Sequence, residues 1–149
     1  MFKDTSFAIM ITGLEAAFIA QFLKFLGHIL FKRKIDFQVL ATTGGMPSAH
    51  TAGVVSLSTM VGFICGIESV EFAIAIGYAF VVMYDAAGLR RATGKIAACL
   101  NKIRDDFYEN KQMPTERLKE LLGHTPLEVF VGALLGIFIS YVNYFFIFS

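Results

Sequence analysis

Residues 70–91 read VEFAIAIGYAFVVMYDAAGLRR. From Val70 to Ala87 the only charges are Glu71 and Asp85, and Arg90 and Arg91 follow directly. An apolar run of this length, closed by bases, matches a helix crossing a hydrocarbon core of about 30 Å. The composition of the rest agrees. Of 149 residues, 56% are hydrophobic and 17% charged, with a mean hydropathy of +0.63, whereas soluble domains carry about 25% charge. That balance excludes a disordered chain and a nucleic-acid-binding tail. Cys65 and Cys99 lie in different kinds of segment, which excludes a disulfide scaffold. The chain reads as an integral membrane protein.

Further apolar runs lie on both sides. One covers about 6–31, broken by Glu15, Gln21, Lys24 and His28. It is too long and too polar at its end for a cleavable leader. Others cover about 51–67 and 127–148. Four spans predict an all-α membrane bundle forming a single domain over 1–149. The second and third spans, joined by Gly66 to Ser69, form a tight hairpin. Two segments are polar. Residues 32–47 hold Lys32-Arg33-Lys34 and Thr42-Thr43-Gly44-Gly45, a turn signal. In residues 89–123, Ile96, Leu100, Ile103 and Phe107 recur at three- and four-residue steps. They predict an amphipathic helix that continues the third span or lies along the membrane surface. Met113-Pro114 breaks it, and Glu116 to Leu122 allow another short helix.

Orientation follows from the bases. Eleven of thirteen Lys and Arg fall in these two segments, and the link between spans two and three carries Glu68 and none. Bases concentrate on the cytoplasmic side, so both polar segments are expected inside an inner or plasma membrane, with both termini on the far side. Three polar clusters border those segments: Gly44-Gly45-Met46-Pro47-Ser48-Ala49-His50, Tyr84-Asp85-Ala86-Ala87-Gly88-Leu89-Arg90-Arg91 and Gly123-His124-Thr125-Pro126-Leu127-Glu128. Each has an ordinary reading. Pro47-Ser48 starts a helix, Thr125 to Glu128 fits a capping box with Pro at the first helical position, Arg91 anchors the membrane face, and Lys24 snorkels to the headgroups. Those readings leave one coincidence over: two histidines and several cations beside two helix N-termini, which bind anions. The natural ligand is a phosphate.

Pro47-Ser48-Ala49-His50 resembles the Pro-Ser-Gly-His motif of the type 2 phosphatidic acid phosphatase superfamily, which includes bacterial acid phosphatases and vanadium-dependent haloperoxidases. His124 with Glu128, followed by Gly132-Ala133-Leu134-Leu135-Gly136, resembles its His-x-x-x-Asp motif and the helix after it. With Met83-Tyr84-Asp85-Ala86-Ala87-Gly88-Leu89-Arg90 between them, the chain is similar to a small, divergent branch of that superfamily. The resemblance implies His124 as nucleophile, Glu128 as the group that orients it and His50 as general acid. It also implies Lys24, Ser48 and Arg90 as phosphoryl ligands, with Asp85 serving either Arg90 or the second histidine. No cofactor is implied.

The chain departs from the wider pattern at several positions. Leu118 stands six residues before His124 where the superfamily has Arg, so Arg90 is the substitute, with Arg117 and Lys119 as competitors. Phe31 stands seven residues after Lys24 in place of Arg, Ala49 replaces glycine, and Glu128 replaces aspartate. Two functions fit. One is a metal-independent phosphatase acting on a lipid phosphomonoester or pyrophosphate; the other is a non-catalytic phospholipid-binding or transport protein that kept the anion pocket. A metal site of His50, Asp85, His124 and Glu128 lacks any ligand-spacing motif. Gly62-x-x-x-Gly66 and Gly132-x-x-x-Gly136 allow either a homodimer or close packing inside one bundle.

Overall fold

The computed structural model describes residues 5–32, 44–108 and 123–148, and the side chains among these except 31–32, 89–91, 106–108 and 147–148. Five helices follow one another: α1 (Thr5–Lys32), α2 (Ala49–Cys65), α3 (Val70–Ala87), α4 (Leu89–Tyr108) and α5 (Pro126–Phe148). The architecture is all-α. By length and composition, α1, α5 and the run from α3 into α4 are long and apolar enough to cross a membrane, and α2 is a shorter apolar helix of 17 residues. The expected spans fall on these helices within about two residues at each end.

Local chemistry sets the boundaries. Ser48 is extended (φ −71°, ψ 113°) and caps α2 by accepting from the Thr51 N–H, so the helix starts at Ala49. Gly66, at φ +90°, ends it in a conformation that other residues adopt only with strain. Ser69 then caps α3 by accepting from the Phe72 N–H at 3.1 Å. These caps make the expected hairpin. Only Gly88 separates α3 from α4, and Ile96, Leu100 and Ile103 form an exposed stripe along α4. The helix break at Met113-Pro114, the helix at 116–122 and the linker from Lys34 to Thr43 lie outside the described residues.

Helix α2 is the centre, packed on α1, α3 and α5, while α1 and α3 do not touch among the described residues. Its registers follow from close contacts. A Cβ on Gly132 would stand 2.6 Å from the Ser48 carbonyl oxygen, and one on Gly136 would stand 2.5 Å from that of Ala52. One turn further, the Ser140 hydroxyl donates to the Ser56 carbonyl at 2.6 Å. Positions 48, 52 and 56 thus face 132, 136 and 140, and α2 and α5 run parallel. Gly13 against Leu57 and Ala17 against Gly53 run antiparallel, as do Gly62 against Phe72 and Ser58 against Ala75, whose carbonyl accepts from the Ser58 hydroxyl at 2.9 Å.

The packing inverts the usual order of sizes. The interior holds Ala16, Ala20, Ala52, Thr12, Ser56 and Ser140, all essentially inaccessible. Phe18, Leu30 and Phe146 point away from the bundle at 76%, 76% and 83% exposure. In a bilayer the acyl chains are as apolar as Leu, so helices associate through small residues and hydrogen bonds rather than by hiding large side chains. Both glycines of the 132/136 pair are used in this way within one chain. Gly62 is likewise taken up by the Phe72 ring, at 2.9 Å from an added Cβ. The small-residue stripes thus do the work of the bundle.

Candidate functional site

The registers bring the clusters to one level. Antiparallel pairing of α1 with α2 puts Lys24 beside the turn before α2, and a Cβ on Gly45 would touch the Lys24 Cδ at 3.4 Å. Gly45 adopts φ +83°, which lets the turn close over the lysine stem. The Met46–Pro47 peptide in this turn is cis. Parallel pairing of α2 with α5 puts Ser48 beside the first turn of α5, where its N–H donates to the Glu128 carbonyl at 3.1 Å. Extending the α2–α3 register places His50 beside the end of α3, and the His124 N–H donates to the Ala86 carbonyl at 3.1 Å. Backbone bonds therefore tie the start of α5 to both α2 and α3.

Glu128 is the hub of this level. Its Oε2 lies 3.0 Å from His124 Nδ1 and accepts from the Thr125 N–H at 3.1 Å, while its own N–H donates to Thr125 Oγ1 at 3.3 Å. The last two bonds are the reciprocal capping box expected from the sequence, with Pro126 opening the helix. The first adds the imidazole. With Nδ1 held against a carboxylate, the nitrogen left for chemistry is Nε2. Lys24 is 7% exposed, donates from Nζ to Gln21 Oε1 at 3.2 Å and lies within electrostatic reach of Glu128.

His124 is 2% exposed, yet its ring lines a small pocket with His50, Asp85, Val82 and Ala86. The pocket has about 20 Å³ of room, space for about one water. Both histidines and one carboxylate thus converge, brought there by α2, α3 and the start of α5. Of the other expected residues, Glu128 bonds to His124 but, like Lys24, does not line the pocket. Ser48 is fully buried and does not line it either. Its Oγ accepts from Thr51 Oγ1 at 3.0 Å and from the Thr51 N–H at 3.4 Å, so both its hydroxyl oxygen and its N–H serve helix contacts. Arg90 is in the first turn of α4, and its side chain, like those of Arg91, Arg117 and Lys119, lies outside the described ones.

Sequence reasoning missed three contributors. Val82 carries no polar signal, although it lies one turn before Ala86 and so shares a helix face with it. The Ala86 carbonyl that holds the His124 backbone is a main-chain group, and only its place near Asp85 hinted at it. Gln21 precedes Lys24 by three positions, a spacing that does predict contact on a helix.

Comparison with known proteins assigns the family. Residues 5–139 match the family described as the Divergent PAP2 family. The chain is 40% identical to the "Uncharacterized membrane protein YuiD" of Bacillus subtilis (strain 168), over 92% of this chain and 94% of that protein. No solved structure matches it. A match that runs from the start of α1 past the middle of α5, and takes in all three polar clusters, shows that the chain belongs to the Divergent PAP2 family.

Proposed function

We propose that this membrane protein is a metal-independent phosphatase acting on a lipid phosphomonoester or a lipid pyrophosphate at the cytoplasmic face. The observation that carries the reading is the His124–Glu128 contact of 3.0 Å beside a pocket that His124 and His50 both line. In the first step, His124 Nε2 attacks phosphorus, the N–P bond forms and the bond to the leaving oxygen breaks. The leaving oxygen takes a proton from the His50 imidazolium. In the second step, water attacks phosphorus and gives a proton to neutral His50, the N–P bond breaks, and phosphate leaves with His124 restored. The Glu128 carboxylate offsets the positive charge on the ring while the N–P bond exists. Lys24 and Arg90 supply positive charge for the phosphoryl oxygens, and Asp85 faces the histidines from α3.

A second reading, non-catalytic phospholipid binding or transport, is favoured by the commitment of Ser48 to helix contacts and by a pocket sized for about one water. One experiment separates the two. Purified protein in mixed micelles is offered phosphatidic acid, phosphatidylglycerophosphate and a polyprenyl pyrophosphate, with and without chelator, and released phosphate is measured. The phosphatase reading expects release unaffected by chelator, an acid-labile phosphoenzyme, and loss of both in His124→Ala. Binding of these lipids without release by wild type supports the second reading, and full activity in His124→Ala overturns the mechanism.

A further inference from the structure

A second polar network lies away from the pocket. Asn143 Nδ2 on α5 donates to Glu15 Oε2 on α1 at 2.6 Å, and stands 3.5 Å from Thr12 Oγ1. Behind Thr12, the Ser56 hydroxyl faces the Thr12 carbonyl at 3.2 Å and Ser140 Oγ at 2.8 Å. This ladder fixes α1 against α2 and α5. Its outer end is unusual, because Glu15 stays exposed even while bonded to Asn143, whereas Thr12, about one turn earlier, is fully buried. At about 1.5 Å per residue, Glu15 lies some 15 Å along α1 from Thr5 and about 14 Å from Lys24. That depth is well inside the hydrocarbon layer. An ionisable side chain facing acyl chains there is costly and marks an interaction.

We infer that the face of α1 and α5 around Glu15 and Asn143 is a dimer interface whose occupant is a second copy of this chain. Copies inserted in one membrane share an orientation, so a closed pair has its two-fold axis along the membrane normal. Each residue near that axis then meets the same depth of its partner. Glu15 and Asn143 suit this requirement, since together they present carboxylate acceptors and amide donors at one level. Acyl chains offer neither. Phe18 and Phe22 flank Glu15 on α1, and Phe146 extends the face on α5; all three are exposed and supply packing area. Gly62, Gly132 and Gly136 are taken up inside the bundle, which leaves polar side chains as the adhesive on this face.

The test needs no catalytic activity. In a Cys65→Ser, Cys99→Ser background, Phe18→Cys reports on the proposed face and Phe80→Cys reports on α3, which does not touch α1. Full-length protein in lipid nanodiscs or mild detergent is treated with a thiol cross-linker, and its mass is measured by light scattering. The inference expects a dimer of twice the 16.5 kDa chain, cross-linking at position 18 and not at 80, and reversion to monomer in Glu15→Leu and in Asn143→Leu. It is overturned by a monomeric wild type at all concentrations, by cross-linking at 80 and not at 18, or by dimers that persist in both leucine variants. Co-purification of a different membrane protein that cross-links at position 18 overturns it as well, because the occupant would then be another chain.

Discussion

Gly136→Ala should separate α5 from α2, and the structure sets its size. The added Cβ would stand 2.5 Å from the Ala52 carbonyl oxygen and 2.9 Å from the Ser56 nitrogen. Contacts between uncharged atoms ordinarily rest near 3.5 Å, so the helices must part by on the order of 1 Å. Both obstructing atoms are backbone in the middle of a helix and cannot swing aside as a side-chain tip can. Overpacking of this kind costs roughly 1–3 kcal/mol, and rigid neighbours put it at the upper end, about 3 kcal/mol. Exchanging Gly for Ala in a helix returns about 1 kcal/mol of propensity, which leaves a net loss of about 2 kcal/mol. Gly77→Ala is the matched control, because a Cβ there has nothing within 4 Å. The propensity gain cancels between the two variants, so their difference isolates the clash. At about 2–4 °C per kcal/mol for a chain of this size, their unfolding midpoints in detergent should lie roughly 10 °C apart. Equal midpoints would refute the assigned packing of α5 on α2. A change in oligomeric mass with no change in midpoint would refute it differently, by placing Gly136 between chains.

Thr125→Ala removes one arm of the capping box and should lower stability by about 1 kcal/mol, read as a smaller fall in the unfolding midpoint, with His124 still tied to Glu128. Glu128→Gln keeps an oxygen for the Thr125 N–H but loses the charge facing His124. Stability should therefore fall less than in Glu128→Ala, while phosphate release falls at least tenfold in both. Cys65 and Cys99 are both exposed and lie on opposite sides of the expected topology. In intact cells a membrane-impermeant thiol reagent should label Cys65 and spare Cys99 until the membrane is opened, and the reverse pattern would invert the topology. Gly45→Ala places a side chain at φ +83° and 3.4 Å from the Lys24 stem; it should destabilise the turn by about 1–2 kcal/mol and weaken lipid-phosphate binding in a flotation assay.

The spans were legible because run length and charge placement are one-dimensional signals. The run from about Val70 to Ala87 could be read as a helix, whereas the capping role of Ser69 emerged only with the structure. What could not be read was which helix neighbours which. The pairs 132/136 and 62/66 announce close approach, but whether it occurs within one chain or between two depends on register, and register rests on contacts such as Ser140 with Ser56, 84 positions apart. The site divides in the same way. His124 and Glu128 lie four residues apart, so their contact was within reach of a reading by spacing, although it is made across the helix cap rather than along a helical turn. His50, Asp85 and His124 share a pocket only because three helix ends coincide in depth. The role expected of Ser48 shows the limit: Pro-Ser before a helix suits both a cap and an anion ligand, and only burial reveals that its oxygen serves Thr51.

The ordinary and the functional readings of the α5 start are not rivals, because one carboxylate carries both. A capping box needs its acid at the third helical position, bent back toward the cap. That geometry turns Glu128 Oε2 toward the residues before the helix, where His124 sits immediately before the Thr125 cap. Any imidazole at that position is offered an acceptor that the helix has already oriented. The entropy of fixing the carboxylate is then shared with the helix start rather than charged to the site. Glu rather than Asp is the better fit at this position for the same reason, since its extra methylene reaches back over the first turn to meet both the Thr125 N–H and Nδ1. Glu128→Asp tests this reasoning directly. It should keep the charge yet lose one of the two bonds, so stability and imidazole tautomer should fall out of step. Nitrogen-resolved spectra of the three histidines, His28, His50 and His124, would show whether Nδ1 of His124 carries a proton in the wild type and in the variant. If the aspartate variant keeps both the wild-type midpoint and the wild-type tautomer, the carboxylate is not shared, and cap and imidazole are held independently.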